Sequence, residues 1–176
     1  MKFLSSLLFC FAVAFGAAAQ KYALVDMEYI LGNIPAYERA NEQLNQVSKK
    51  WQAEVEAVDN AAKTLYKNYQ NELVFLSEQQ KKEREEAIIG KEREASELRK
   101  KYFGPEGELY KKRMSLIEPI QEEIYNAVKA IAQQKGFQLV IDRASNSGII
   151  FASPSIDISA DVLDKLGYAR WSPVNY

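Results

Sequence analysis

The sequence predicts an α+β fold that is mostly helical, a small β body carrying a long antiparallel α-helical hairpin. Three observations lead there. Residues 35–134 carry the apolar repeat of long helices. A short strand-like run, residues 22–25, precedes them, and two more, residues 137–141 and 148–152, follow. Runs this short gain stability only by pairing with one another. If they pair, the helical stretch has to leave the sheet and return to it, which makes it a hairpin. An arm of this kind suits holding or spacing better than it suits an enclosed catalytic pocket.

Residues 1–19 read as a cleavable signal peptide. Lys2 gives a positive start, residues 3–15 are apolar with two serines, and Ala17-Ala18-Ala19 has the small-x-small form of a cleavage site. The expected cut lies between Ala19 and Gln20, and the apolar run is too short for a stable membrane span, which takes about 20 residues. Cys10 is the only cysteine and sits early in that run, after Phe9, so a lipid-modified leader is not expected.

Residues 20–34 read as body strand 1 and a short helix, with Asp26 placed to cap that helix. Residues 35–135 read as the hairpin arm. Pro35 suits a first helical turn because its missing N–H is not needed there. From Ala40 to Leu76, apolar residues recur in ten steps over 36 residues, through Leu44, Val47, Trp51, Val55, Val58, Ala62, Leu65, Tyr69 and Leu73. That is the period of a straight helix rather than a strict heptad. A limb of this size is roughly 60 Å long at about 1.5 Å per residue. The tip is expected near residue 77, where Ser77-Glu78-Gln79-Gln80 has the form of a capping box.

The descending limb is charge-rich, with Ile88, Ile89, Ala95, Leu98 and Tyr102 as its apolar stripe. Gly104-Pro105-Glu106-Gly107 interrupts it, because Pro105 removes a donor and biases Gly104 away from helix. The helix resumes through Leu109, Met114, Ile117, Ile120, Ile124, Val128 and Ile131, with a second bend expected at Pro119 and an end at Gly136. Residues 136–167 read as body strands 2 and 3 and a C-terminal helix. Ser159 is its expected N-cap and Gly167 its end. Residues 168–176 form a tail containing Trp171.

Composition excludes several functions. Beyond the leader there is no Cys, and the whole chain has no His. Disulfides, thiol catalysis and Cys/His metal sites are therefore not expected. Without Lys2 the chain carries 22 Lys and Arg against 24 Asp and Glu, which gives no electrostatic case for nucleic acid. No phosphate loop, dinucleotide fingerprint, nucleophile elbow or zinc helix is present, so no cofactor is expected. Asp26 and Asp142 each follow a strand. Capping and strand termination account for both better than a catalytic pair does.

The candidate contact residues fall into two groups. On the arm, Tyr66, Phe75 and Phe103 lie off the main stripe, where they either widen the interhelical seam or offer scattered apolar contacts to a guest. Lys100, Lys101, Lys111, Lys112 and Arg113 form the one dense basic spot. It reads first as a solvated helix face and second as a weak contact for anionic headgroups or an acidic partner. In the body, three short strands and a small helix make a thin core. Association through Leu24, Val25, Leu139, Val140, Ile141, Ile149, Ile150 and Phe151 would cover its edges.

Taken in order, these pieces resemble the OmpH/Skp family of periplasmic chaperones. The resemblance rests on Ala-Leu-Val-Asp-Met from Ala23 and its short helix, a charged hairpin, Phe-Gln-Leu-Val-Ile-Asp from Phe137, and Asp-Ile-Ser-Ala-Asp-Val-Leu-Asp-Lys-Leu from Asp157. It implies a jellyfish-shaped homotrimer whose arms hold unfolded outer-membrane proteins without ATP in the periplasm. Well-known members of that family are strongly basic, whereas this chain is slightly acidic, so capture by charge alone is not expected. Residues 104–107 and the aromatic tail match nothing in the family pattern. The competing reading is a coiled-coil scaffold or spacer of the cell envelope. A third, an enzyme using Asp26 or Asp142, has least to support it.

Overall fold

The structure is a computed structural model and describes residues 21–145 and 148–168. Residues 1–20, which hold the expected leader, residues 146–147 and residues 169–176, which hold the expected tail with Trp171, lie outside them. The chain forms two compact units. One is Pro35–Glu122. The other joins the segment ending at Ile34 to the segment starting at Glu123.

In the second of these, β1 (Lys21–Val25) pairs with β2 (Phe137–Asp142) in a two-stranded parallel sheet. Tyr22 stands opposite Leu139 and Val25 opposite Asp142. Parallel strands need a long crossover, and the intervening helices supply it. Leu24 also bridges to Asp157, and its carbonyl accepts a hydrogen bond from the Ile158 N–H at 2.9 Å. β1 is thus flanked on both sides, and Ala23, Leu24 and Val25 are all buried. That explains a strand with consecutive apolar residues instead of alternation.

Two small helices close this unit: α1 (Met27–Gly32) and, near the end of the chain, α5 (Ser159–Lys165). Asp26 caps α1 by accepting the Tyr29 N–H at 2.8 Å. α1 packs on α5. Ile30, Val162 and Leu163 are completely buried, and Ile34 and Ile158 nearly so. Ile124, Ala127 and Ile131, spaced three and four apart, add the buried stripe of a longer helix, α4 (Glu108–Lys135). Gly136 ends α4 with φ +74°, a left-handed conformation that glycine adopts without a Cβ clash.

The expected third strand is absent. Residues 148–152 form no strand, Ile150 is fully exposed and Phe151 is 85% exposed. The physical reason is one of edges. β1 already has neighbours on both sides and offers this run no edge, and among the described residues β2 has no second partner. Ser159 is also corrected: it is the first residue of α5, whose N-cap is Ile158. The Ser159 N–H is satisfied by the Asp157 carboxylate at 2.8 Å.

The other unit is a helical hairpin. α2 (Pro35–Glu72) runs for 38 residues, a single 3₁₀ turn (Leu73–Phe75) follows, and α3 (Glu78–Phe103) returns along α2. Ser77 begins α3 with a complete capping box: its Oγ accepts the Gln80 N–H, and the Gln80 side chain accepts the Ser77 N–H. Ala40, Val55 and Ala62 of α2, and Ile88, Ala95 and Tyr102 of α3, are buried. Several are small, and small side chains let helices approach closely. Ile89, placed on the stripe by its spacing, is 53% exposed. α4 begins at Glu108 and continues unbroken through Pro119, so the expected second bend does not interrupt it. Pro119 is exposed, where water can solvate the Ser115 carbonyl that loses its donor.

Gly90 stands in the exposed middle of α3, and nothing lies within 4 Å of where a Cβ would sit. Replacing it with alanine should stabilise the hairpin by about 0.5–1 kcal/mol through reduced backbone entropy. Urea unfolding followed by circular dichroism checks this. A loss of stability would show that Gly90 is needed for something other than helix.

Candidate functional site

The hairpin seam is closed by clasps between α2 and α3. The Tyr69 hydroxyl donates to Glu85 at 2.5 Å and Arg84 pairs with Glu72 at 3.2 Å. Further along, Arg99 pairs with Asp59 at 2.7 Å, and the Tyr102 hydroxyl donates to Glu54 at 2.6 Å. The bonds to Glu85 and Glu54 push the Tyr69 and Tyr102 phenols above their ordinary pKa, with desolvation and the carboxylate charges acting in the same direction. The Tyr102 ring also stacks on Trp51, with centroids 4.8 Å apart and planes within 3°. Phe103 meets Tyr102 edge to face at 6.4 Å.

Immediately after this aromatic group the chain turns through Gly104-Pro105-Glu106-Gly107. The Gly104 N–H bonds to the Lys100 carbonyl at 2.9 Å, Gly107 to Gly104 at 2.9 Å, and Lys111 to Gly107 at 3.1 Å. The elbow creates a concavity of about 620 Å³ lined by Lys100, Lys101 and Lys111, but also by Glu97, Glu106 and Glu108. Lys111 pairs with Glu108, and Lys101 lies over the Tyr102 ring. Lys112 and Arg113 are exposed and do not line it. The expected basic spot is therefore a surface of mixed charge.

The other expected arm residues are dispersed. Phe103, 38% exposed, lines a separate groove with Val55, Asp59 and Arg99. Tyr66 is half exposed, and its hydroxyl accepts from Gln70. Phe75 stands at the hairpin turn, 85% exposed. Beside it is Val74, 83% exposed, which the spacing argument had passed over. Its signal was available: Leu73 to Leu76 are four consecutive apolar residues at the turn, where polar residues are usual.

In the β unit, a polar knot joins the segments that the strands bring together. Arg143 pairs with Asp26 at 3.0 Å and with Asp157 at 3.2 Å. Ser159 Oγ accepts the Asp26 N–H at 2.8 Å and donates to Asp157 at 2.6 Å. Asp142 accepts the N–H groups of Met27 and Ala144. Asp26 and Asp142 thus spend their oxygens on caps and ties that hold the segments together. Arg143 was not anticipated; a lone Arg following a strand carries no specific signal in the sequence. Among the described residues, no group of acidic side chains could hold a metal ion, and no helix is long and apolar enough to cross a membrane.

Partial burial pushes the Asp142 carboxyl up, but the bonds from Ser145, Met27 and Ala144 outweigh it and hold it below the usual value. A depressed folded-state pKa gives stability that is present above the unfolded pKa and lost as pH falls through the folded one. Asp142→Asn should therefore weaken the β unit at neutral pH, and its deficit should shrink below pH about 4. Melting temperatures across pH 3–7 measure the gap. A deficit that stays constant with pH would show that charge plays no part.

Of the residues expected to mediate self-association, Leu24 and Val25 are buried against their own chain, so their side chains are already covered. Val140, Ile141 and Ile149 are partly exposed. Leu139 is 48% exposed, Ile150 fully exposed and Phe151 85% exposed.

Comparison with known proteins agrees with this architecture. Residues 21–166 match the family model "Outer membrane protein (OmpH-like)". The chaperone protein Skp of Yersinia enterocolitica is 26% identical over 162 residues, spanning 92% of this chain and 95% of that protein. The chaperone protein Skp of Photorhabdus luminescens is 24% identical over 168 residues, 94% of this chain and 98% of that one. The crystal structure of an OmpH-like outer membrane chaperone from Caulobacter crescentus CB15 superposes with a TM-score of 0.66 at 13% identity, covering 86% of each chain. With long helices, a two-stranded sheet and a family match along nearly all the described residues, the chain belongs to the OmpH-like outer membrane protein family.

Proposed function

We propose that this chain is an ATP-independent holdase. It keeps unfolded outer-membrane proteins from aggregating on their way to the outer membrane, acting in the periplasm as a homotrimer after its leader is removed. The observation that carries this reading is the family match over residues 21–166, to a family of chaperones rather than enzymes. The physical fit is direct. An unfolded barrel strand exposes apolar side chains and unpaired backbone edges, and many weak contacts along a helical hairpin shield both while leaving the strand mobile. No nucleotide motif is present, and holding requires none, since a ligand that binds unfolded chains competes with aggregation by mass action.

The trimer draws support from the exposed apolar side chains of Leu139, Ile150 and Phe151 and from the edge of β2 that has no partner among the described residues. Charge has a secondary role here. Without the leader the net charge is −2, and the carboxylates among Lys100, Lys101 and Lys111 leave only weak, salt-sensitive contact with a membrane surface. Nucleic acid is not a partner in this reading.

The test is the solution mass of residues 20–176, alone and after dilution of an unfolded outer-membrane barrel into it. A trimer that gains one client and keeps it soluble is the expected result. A monomer or dimer removes the trimer. A trimer that ignores every client favours an envelope scaffold that binds folded partners.

A further inference from the structure

At the hairpin turn, three apolar side chains are displayed in one short turn that does not need them. None of Leu73, Val74 and Phe75 is buried; they are 39%, 83% and 85% exposed. The turn is held by other groups. On its far side, Ser77 and Gln80 form the capping box, and just behind it Tyr69–Glu85 and Arg84–Glu72 clasp the two helices together. Polar residues would make the same turn at lower cost in exposed apolar surface. The apolar side chains are therefore presented on a preorganised support, which lowers the entropy lost when they are engaged.

Charge and shape narrow the occupant. Between Lys63 and Ile89 there are five Lys or Arg and five Glu, so the tip has no net attraction for anionic headgroups. It also offers only three exposed side chains, on one short turn between two helices. Two such tips pressed together, or one against a flat folded surface, would bury far less than the roughly 800 Å² per partner of a stable interface. A flexible chain can wrap around such a turn.

We propose that Leu73, Val74 and Phe75 form an apolar finger that engages aliphatic and aromatic side chains of an unfolded polypeptide. The inference rests on the holdase reading and adds the place and chemistry of one contact. Each finger binds weakly, and several acting on one chain raise the overall affinity.

The test uses the mature chain with Val74→Ser and Phe75→Ser together, assayed by light scattering of a diluted unfolded outer-membrane barrel. The substitutions are exposed, so helix content and solution mass should not change. Half-suppression of aggregation should require about tenfold more of the variant, equivalent to about 1.4 kcal/mol. In a second measurement, a photo-reactive residue at position 75 of an otherwise unchanged chain should crosslink to the client. Wild type and variant suppressing equally, with no crosslink, would overturn the finger and leave the holdase reading intact. A wild type that suppresses nothing would overturn both. Wild-type binding to neutral lipid vesicles that is lost in the variant, with unchanged client holding, would make the tip a lipid contact and overturn the inference.

Discussion

Leu163→Ala is expected to destabilise the β unit by about 2–5 kcal/mol, the usual range for removing a buried leucine and leaving a cavity. Leu163 is completely buried, as are Val162 beside it and Ile30 on α1, the helix packed against α5. The unit has little else in reserve, because its sheet has only two strands and small cores bury a modest fraction of their surface. The ties among Arg143, Asp26, Asp157 and Ser159 also fix the start of α5 to the end of β1, which limits how far the helix can shift to fill the space. Urea unfolding and hydrogen exchange of α1, β1 and α5 measure the effect. A change below about 1 kcal/mol would show that α5 contributes little packing, since buried leucines do not behave that way.

The second large effect is expected at the elbow. A Cβ on Gly107 would lie 2.8 Å from the Tyr102 carbonyl oxygen, 2.9 Å from the Gly104 nitrogen and 2.9 Å from the Lys101 carbonyl oxygen. All three are backbone atoms, so no side-chain rotation can make room. Gly107→Ala should cost about 1–3 kcal/mol, the range for forcing extra volume into a packed site. It should also disturb Tyr102 and the ring stacked on it. Trp51 is one of only two tryptophans, so with Trp171→Phe in the background its emission reports on that stack. Gly104→Ala should act in the same direction, since its Cβ would fall 2.4 Å from the Lys100 carbonyl oxygen. Unchanged stability and unchanged Trp51 emission in Gly107→Ala would mean that the elbow tolerates a side chain and is looser than this packing requires.

These two sites differ in how far they could be read in advance. Pro105 between two glycines announces a break by local chemistry alone. That Gly107 must be glycine follows from three carbonyl and amide atoms converging on it, and no spacing rule contains that. Leu163 sits in a short run whose capping pattern predicted a helix, yet Ser159 proved to be a tie to Asp26 and Asp157 instead of the cap. The hairpin stripe was legible because burial on a long helix repeats at a fixed period. Ile89 escaped that rule because Ile88 beside it takes the buried position.

What the sequence by itself determined was everything governed by local periodicity and punctuation. The two long helices, the capping box at Ser77, the break after Phe103 and the cap at Asp26 are of this kind. Only the tertiary structure decided which short apolar runs become strands. Residues 137–142 and 148–152 look alike as sequence, but β1 has Asp157 on one side and β2 on the other, and the second run finds no partner among the described residues. Tertiary structure also decided that Leu24 and Val25 are spent on their own core, while Leu139, Ile150 and Phe151 remain uncovered. It scattered the expected basic patch among carboxylates and left Val74 and Phe75 in solvent. The reason is the same in each case: a strand, an interface or a patch is a property of neighbours distant in the chain, and pairing energies depend on which edge is free when the chain returns.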